Sequence, residues 1–195
     1  AKHFEKIGAD AIICEGTEAG GHIGELTTMC LTPQVAGAVK VPVIAAGGIA
    51  DGRGIAAAFA LGADGVQVGT RFLTAYECNV HQNYKNKVLK ANDTETTVTG
   101  RKTGHPVRVL KNKLVNQFKE LDKKNAEIQE YENLGRRRLH MAAVDGDVDY
   151  GSVMSGQIAG LVNREQHCKE IITEMFSEAE KIISNLNYFV GGYNG

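Results

Sequence analysis

The sequence predicts an α/β fold of parallel strands alternating with helices, and three observations carry that prediction. Short apolar runs recur at residues 11–15, 41–46 and 63–68. Each is followed at once by glycine, at Gly16, Gly47-Gly48 and Gly69. Between the runs lie stretches of helical character, closed in turn by a further glycine. Strands alternating with helices imply parallel βαβ units. Strands apolar on both faces are what helices on one side and a core on the other require. At 195 residues, one domain is the default expectation, long enough to bury a sizeable core.

Taken in order, residues 1–7 read as the last turns of a helix, stopped by Gly8 where a left-handed residue is wanted. Residues 11–15 are the first buried strand. Thr28 or Thr32 can cap a helix running to about Val39, with Pro33 suited to its first turn. Residues 41–46 form the second strand. Asp51 can cap a small-residue helix over 54–61, closed by Gly62. Residues 63–68 are the third strand, ending in Gly69-Thr70-Arg71. Beyond Phe72 the character changes. A polar helix is expected over 77–91, an extended threonine-rich link over 92–103, and a turn over 104–108. That turn leads into a Lys/Glu/Gln-rich stretch, 110–131, whose charge run reads as a solvated helical face. Residues 152–157 form a small-residue turn opening a helix through Asn163. Residues 164–187 carry Ile171, Ile172, Met175, Phe176 and Ala179 at helical spacing, a core stripe. The last residues, 191–195, are expected to fray.

The totals exclude several function classes. A formal net charge of −1 leaves no electrostatic footprint for nucleic acid or an anionic membrane surface. No apolar run approaches the length of a bilayer span. No signal peptide is seen, and the chain opens at Ala1 inside a helical stretch. Cys14, Cys30, Cys78 and Cys168 are scattered without zinc spacing, which favours a reducing, cytoplasmic setting. There is no Gly-x-Gly-x-x-Gly after a strand, no Walker loop, no His-Glu-x-x-His and no Gly-x-Ser-x-Gly. The Asp/Gly-rich loop at residues 144–151 does not match the EF-hand calcium pattern.

The stretch with the most chemistry follows the first strand. Four of the nine residues from Gly16 to Gly24 are glycine, and His22 sits among them. A loop without Cβ atoms can lie flat against a ligand and offer it backbone N–H groups, and an imidazole titrates near ambient pH. The plainer reading is a surface turn with a solvated histidine. In a (β/α)8 barrel the active-site loops follow the strands' carboxyl ends, and a phosphate site often forms after the seventh and eighth strands. The glycine-ended strands at Gly47-Gly48 and Gly69-Thr70 fit that pair.

Glu15-Gly-x-Glu18-Ala-Gly-Gly-His22-Ile-Gly24, Val43-Ile-Ala-Ala-Gly-Gly-Ile49 and Gln67-Val-Gly-Thr-Arg-Phe72 resemble the flavin-dependent enoyl-acyl-carrier-protein reductases of the FabK type. These are related to the nitronate monooxygenases, formerly called 2-nitropropane dioxygenases. The blocks at 104–112 and 146–160 look more like the reductase branch. The resemblance implies the C-terminal part of an FMN-binding (β/α)8 TIM barrel, about three parallel strands plus an added helical segment. At about 30 residues per βα unit, on the order of 120 to 150 residues, including the N-terminal strands, would lie upstream. Residues 1–76 would be barrel units, 77–150 a helical insertion or cap, and 151–195 helices packing back.

The implied activity is reduction of trans-2-enoyl thioesters on acyl-carrier protein, in fatty acid biosynthesis, using FMN and NADH or NADPH. The alternatives are oxidation of alkyl nitronates with FMN and O2, and a truncated half-barrel that turns nothing over. On the family pattern, Gly47, Gly48, Gly69 and Thr70 would cradle the FMN phosphate. Glu15 would face the flavin, Gln67 and Met154 would line its ring pocket, and Gly21 and Ala46 complete the cofactor set. His22 would be the catalytic residue, as general acid or oxyanion donor to a thioester enolate, or as base toward a nitronate. Arg53, Arg71, Lys85 and Lys87 are basic residues for steering the acidic carrier. Family members can require a monovalent cation, for which no ligand set is visible here. A homodimer is left open.

Overall fold

The computed structural model describes residues 1–191; of the fraying expected at 191–195, all but Gly191, the last residue of a helix, lies outside the described residues. The elements run α1 (Lys2–Lys6), β1 (Ile12–Glu15), β2 (Gly21–His22), α2 (Thr28–Ala36), β3 (Val43–Ala46), α3 (Gly52–Ala60), β4 (Gly65–Gln67) and α4 (Gln82–Leu89). Then follow β5 (Thr96–Thr99), β6 (Val107–Leu110), α5 (Lys113–Lys123), α6 (Ile128–Gly135), α7 (Arg138–Ala143) and α8 (Cys168–Gly191). Short 3-10 turns cover Thr70–Thr74, Arg101–Thr103 and Gln157–Leu161.

The three predicted strands form one parallel sheet in the order β1-β3-β4. Its register sets the two faces. Ile13, Ile44 and Gly65 make one row, and Glu15, Ala46 and Gln67 make another on the same face, because side chains repeat every second residue. Cys14, Ala45 and Val66 point the other way. That second face is covered: Ala45, Ile49, Ile55, Ala58, Ile171 and Met175 form a core with α3 and α8. α3 is rich in small residues because α8 lies against it, and a Cβ on Gly52 would sit 2.4 Å from the Ala179 nitrogen. The Asp51 carboxylate accepts the Arg53 N–H at 2.9 Å, capping α3 as expected.

A second sheet, antiparallel, has the order β2-β6-β5. It corrects the reading of the added segment as helical with an extended link. Thr96-Thr97-Val98-Thr99 is β-branched throughout and pairs with Val107–Leu110. β6 also pairs with two residues of the glycine loop, Gly21 opposite Arg108 and His22 opposite Val107. Leu110, Val153, Tyr84, Val88 and Val162 build a second core beside this sheet.

Other boundaries differ for local reasons. The helix expected from residue 77 begins only at Gln82, where His81 Nδ1 accepts the Asn83 N–H at 3.1 Å. The charged stretch splits into α5 and α6 at Asn125, which takes φ +48°; asparagine tolerates that region. A capping box between Glu127 and Glu130 then restarts the chain as α6. Pro33 lies inside α2 rather than in its first turn, and α2 begins at Thr28. The segment after Gly156 makes only a 3-10 turn, Gln157–Leu161.

Candidate functional site

The carboxyl ends of β1, β3 and β4 open on one cavity of about 240 Å³. Glu15, Gly21, Ala46, Gly47, Gly48, Gln67, Gly69, Thr70 and Met154 all line it. These are the nine residues that the resemblance implies for the cofactor. The row Glu15–Ala46–Gln67 crosses the three strands at its base. Gly47 must be glycine here: its φ is +85°, and an added Cβ would lie 2.8 Å from the Gly16 carbonyl oxygen. Gly69 differs, because a Cβ there would meet nothing within 4 Å and would project into open space. Among the described residues, the backbone N–H groups of Gly48, Gly69 and Thr70 find no acceptor. Gly16, the glycine that ends β1, does not line the cavity; a Cβ on it would run into Thr28.

Two side chains that the sequence reading leaves out as site residues hold this floor in place. The Glu18 carboxylate accepts the Thr28 N–H at 2.9 and 3.1 Å, so it caps α2 from another loop. The Thr28 hydroxyl lies 3.0 Å from Glu18 and 2.9 Å from the Gly47 carbonyl, which ties the end of β3 into the same cluster. Arg108 is buried; its Nε donates to the Thr17 carbonyl at 3.1 Å and its Nη1 to the Thr96 hydroxyl at 3.3 Å. Burial pulls its guanidinium below the ordinary range. On the far wall, the Gly156 N–H donates to the Thr70 hydroxyl at 2.8 Å, and the Gln157 N–H to the Glu18 carbonyl at 2.8 Å. Partial burial also pushes the Glu15 carboxyl above its usual range.

His22 is not in that cavity. It lines a second one, of about 360 Å³, that shares Met154 with the first as a common wall. Nor is its imidazole alone: the His105 ring lies edge-on with its centroid 6.4 Å away, in the same cavity. His105 belongs to the motif at 104–112, read from sequence as a turn. Met154 is set by its bridge to Val109 and by the Tyr84 hydroxyl, which donates to its carbonyl at 2.6 Å. Burial raises the Tyr84 phenol well above its ordinary range.

Two of the four basic residues offered to an acidic carrier are withdrawn by the fold. Arg71 is buried, donating to the Thr74 hydroxyl at 3.1 Å and to Gln166. Lys85 is also buried, its Nζ donating to the Ala75 carbonyl at 2.6 Å. Arg53 is exposed and paired with Asp51, and Lys87 is half-buried. The Asp/Gly loop is explained by its own backbone, since Asp147 Oδ1 accepts the N–H groups of Asp149 and Tyr150.

The model of the nitronate monooxygenase family matches residues 1–178, a span that includes every residue lining both cavities. The chain belongs to the nitronate monooxygenase family. Among relatives, a probable nitronate monooxygenase of Staphylococcus saprophyticus is 36% identical over 92% of this chain. A (3aS,4S,5R,7aS)-5-hydroxy-7a-methyl-1-oxo-octahydro-1H-indene-4-carboxyl-CoA dehydrogenase of Rhodococcus jostii is 34% identical over 95%. The structure of FabK from Thermotoga maritima is similar at 46% identity and a TM-score of 0.93 over 96% of this chain. This member of the nitronate monooxygenase family spans 54% and 64% of the two relatives' lengths and 60% of the FabK chain. None of its described helices is long and apolar enough to cross a membrane.

Proposed function

We propose that this chain carries the cofactor and substrate site of a flavin-dependent oxidoreductase that reduces enoyl thioesters with NADH or NADPH. The observation that carries the reading is convergence. Residues from three strand ends and from a loop beyond residue 150 line one cavity floored by bare backbone. FMN fits the residues present. Unpaired N–H groups of Gly48, Gly69 and Thr70 suit a phosphate, and the open space over Gly69 leaves it room. When bound, FMN supplies the hydride chemistry, with the nicotinamide cofactor as donor.

The chain's own side chains bind and move protons. Met154 stands between the cofactor cavity and the histidine cavity, so a substrate in the second meets a cofactor in the first across that wall. There His22, as imidazolium, donates to the thioester as negative charge develops, a role worth up to several kcal/mol. Similarity to FabK at 46% identity and to a carboxyl-CoA dehydrogenase supports a thioester substrate. An acyl-carrier protein is the proposed partner, with the half-buried Lys87 and the Asp51-paired Arg53 as the basic residues the fold leaves at the surface.

The three strands are read as an arc of a (β/α)8 barrel completed by polypeptide outside this chain. Residues 1–76 form that arc, 77–150 a cap over the site, and 151–195 the segment that packs back. A second reading, nitronate oxidation, is favoured by the family's own description and by the relative named for that activity. In it, neutral His22 accepts the substrate's α-proton. The two separate in one assay on flavin-loaded protein. Oxidation of NADH or NADPH that depends on a crotonyl thioester is expected. Oxygen uptake with an alkyl nitronate, without nicotinamide and without thioester turnover, would replace the first reading with the second.

A further inference from the structure

The two cavities that share Met154 are continued by a third opening. Arg137 and Arg138 line both the second cavity and a cleft of about 460 Å³ that also takes in Arg136, His140 and Asp145. Shared walls thus give an order: the glycine floor, Met154, the second cavity with His22, Phe118 and Tyr131 on its walls, then Arg137 and Arg138.

The three consecutive arginines at the junction of α6 and α7 do different things. Arg138 is committed to the fold: its Nε donates to the Leu134 carbonyl at 2.8 Å and its Nη1 to the Tyr150 carbonyl at 3.3 Å. Arg136 and Arg137 are exposed, and neither has a side-chain partner among the described residues. Arg137 also holds φ +60°, a conformation costly for a residue with a Cβ and concentrated at functional positions. Two carboxylates face this group. Glu132 lines the second cavity, and Asp145 lies 3.4 Å from His140. The guanidinium groups of Arg136 and Arg137 are therefore left for a ligand.

We propose that Arg136 and Arg137 form a phosphate-recognition site at the outer end of the second cavity, gripping an elongated substrate whose reacting end lies at His22. A planar guanidinium pairs with phosphate through two parallel charge-assisted bonds. The arm between must be long and slender enough to cross the cavity that Phe118 and Tyr131 help to line. Two sources offer a phosphate set back from the reacting group, the phosphopantetheine arm of an acyl thioester and a nicotinamide dinucleotide. An alkyl nitronate offers none. The placement of the reacting end rests on the oxidoreductase reading above; the phosphate site does not.

The test is the double variant Arg136→Gln/Arg137→Gln in the flavin-loaded protein, compared with wild type on crotonyl-CoA and on crotonyl-N-acetylcysteamine, which lacks phosphate. The ratio of kcat/KM for the CoA ester to that for the short thioester is expected to fall by about tenfold or more. A fall confined to the KM for NADH or NADPH would keep the site and assign its phosphate to the dinucleotide. Unchanged values for all three substrates would overturn the site. If wild type turns over neither thioester, the enoyl-reductase reading fails, and the site is judged by calorimetric titration with 4′-phosphopantetheine against pantetheine. Preference for the phosphorylated form, lost in the double variant, would keep it; equal binding of the two would remove it. Arg138→Gln, expected to lower Tm by freeing the Leu134 and Tyr150 carbonyls, separates structural loss from ligand loss.

Discussion

His22 lines the second cavity and not the first, so its ring can be removed without disturbing the glycine floor. In a longer polypeptide that closes the barrel, His22→Ala is expected to retain flavin, read from the visible absorbance of the purified protein, while turnover falls by at least about a hundredfold. Wild-type turnover in that variant would take the imidazole out of the chemistry. Two glycines on the floor make a sharper pair. At Gly47 a side chain meets both a left-handed φ and the Gly16 carbonyl, so Gly47→Ala should cost roughly 2 kcal/mol or more of stability. At Gly69 the backbone is ordinary and the space open. Gly69→Ala should therefore melt like wild type yet bind FMN more weakly, because the methyl group projects where the phosphate would lie. Equal melting temperatures for the two variants would contradict this division.

At the scale of elements, the long α8 depends on a carboxylate from a distant turn. Glu77 accepts its own backbone N–H and that of Cys168, with His167 Nδ1 at 3.1 Å, and this holds its pKa down to about 2 from an ordinary 4.5. A carboxyl whose folded pKa is depressed contributes stability in full above its unfolded value. That contribution is lost as pH falls from about 4.5 toward 2. Glu77→Gln should flatten the acid side of the Tm–pH curve in that window, and an unaltered curve would deny the cap its role. Elements governed by near neighbours in sequence are legible: the three parallel strands, the Asp51 cap, and the left-handed stops at Gly8 and Gly62. Those governed by distant pairing are not. β2 has two residues and exists because Arg108 and Val107 lie opposite it, which no local pattern announces. The site divides the same way. The nine cofactor-side residues sit at strand ends or in a recognisable block. Glu18, Arg108 and His105 act through contacts made across the chain, though Asn125 at the break between α5 and α6 was a signal available from residue type alone.

For the molecule as a whole, the parallel sheet has one face covered and one open. Ile13 is 56% exposed on the same face as Ile44 and Gly65, directly behind the Glu15–Ala46–Gln67 row that lines the cavity. The outer edges of β1 and β4 are unpaired among the described residues, and unpaired sheet edges are features that folds normally cover. The chain exposes 11312 Å², against about 9,000 Å² for a compact monomer of its mass. An arc of a closed barrel accounts for all three, since its inward face and both edges would be buried by further strands. The reading makes Ile13 a discriminating residue. In this 195-residue chain, Ile13→Ser removes an already wet side chain and should change Tm little. In a longer polypeptide that closes the barrel, the same substitution should cost roughly 2 kcal/mol or more, as burying a hydroxyl where a core side chain packs does. FMN affinity should follow the same split, weak in the short chain and strong in the long one. Stoichiometric flavin retained by the short chain, or an equal Ile13→Ser penalty in both, would mean that the three strands already form a finished site.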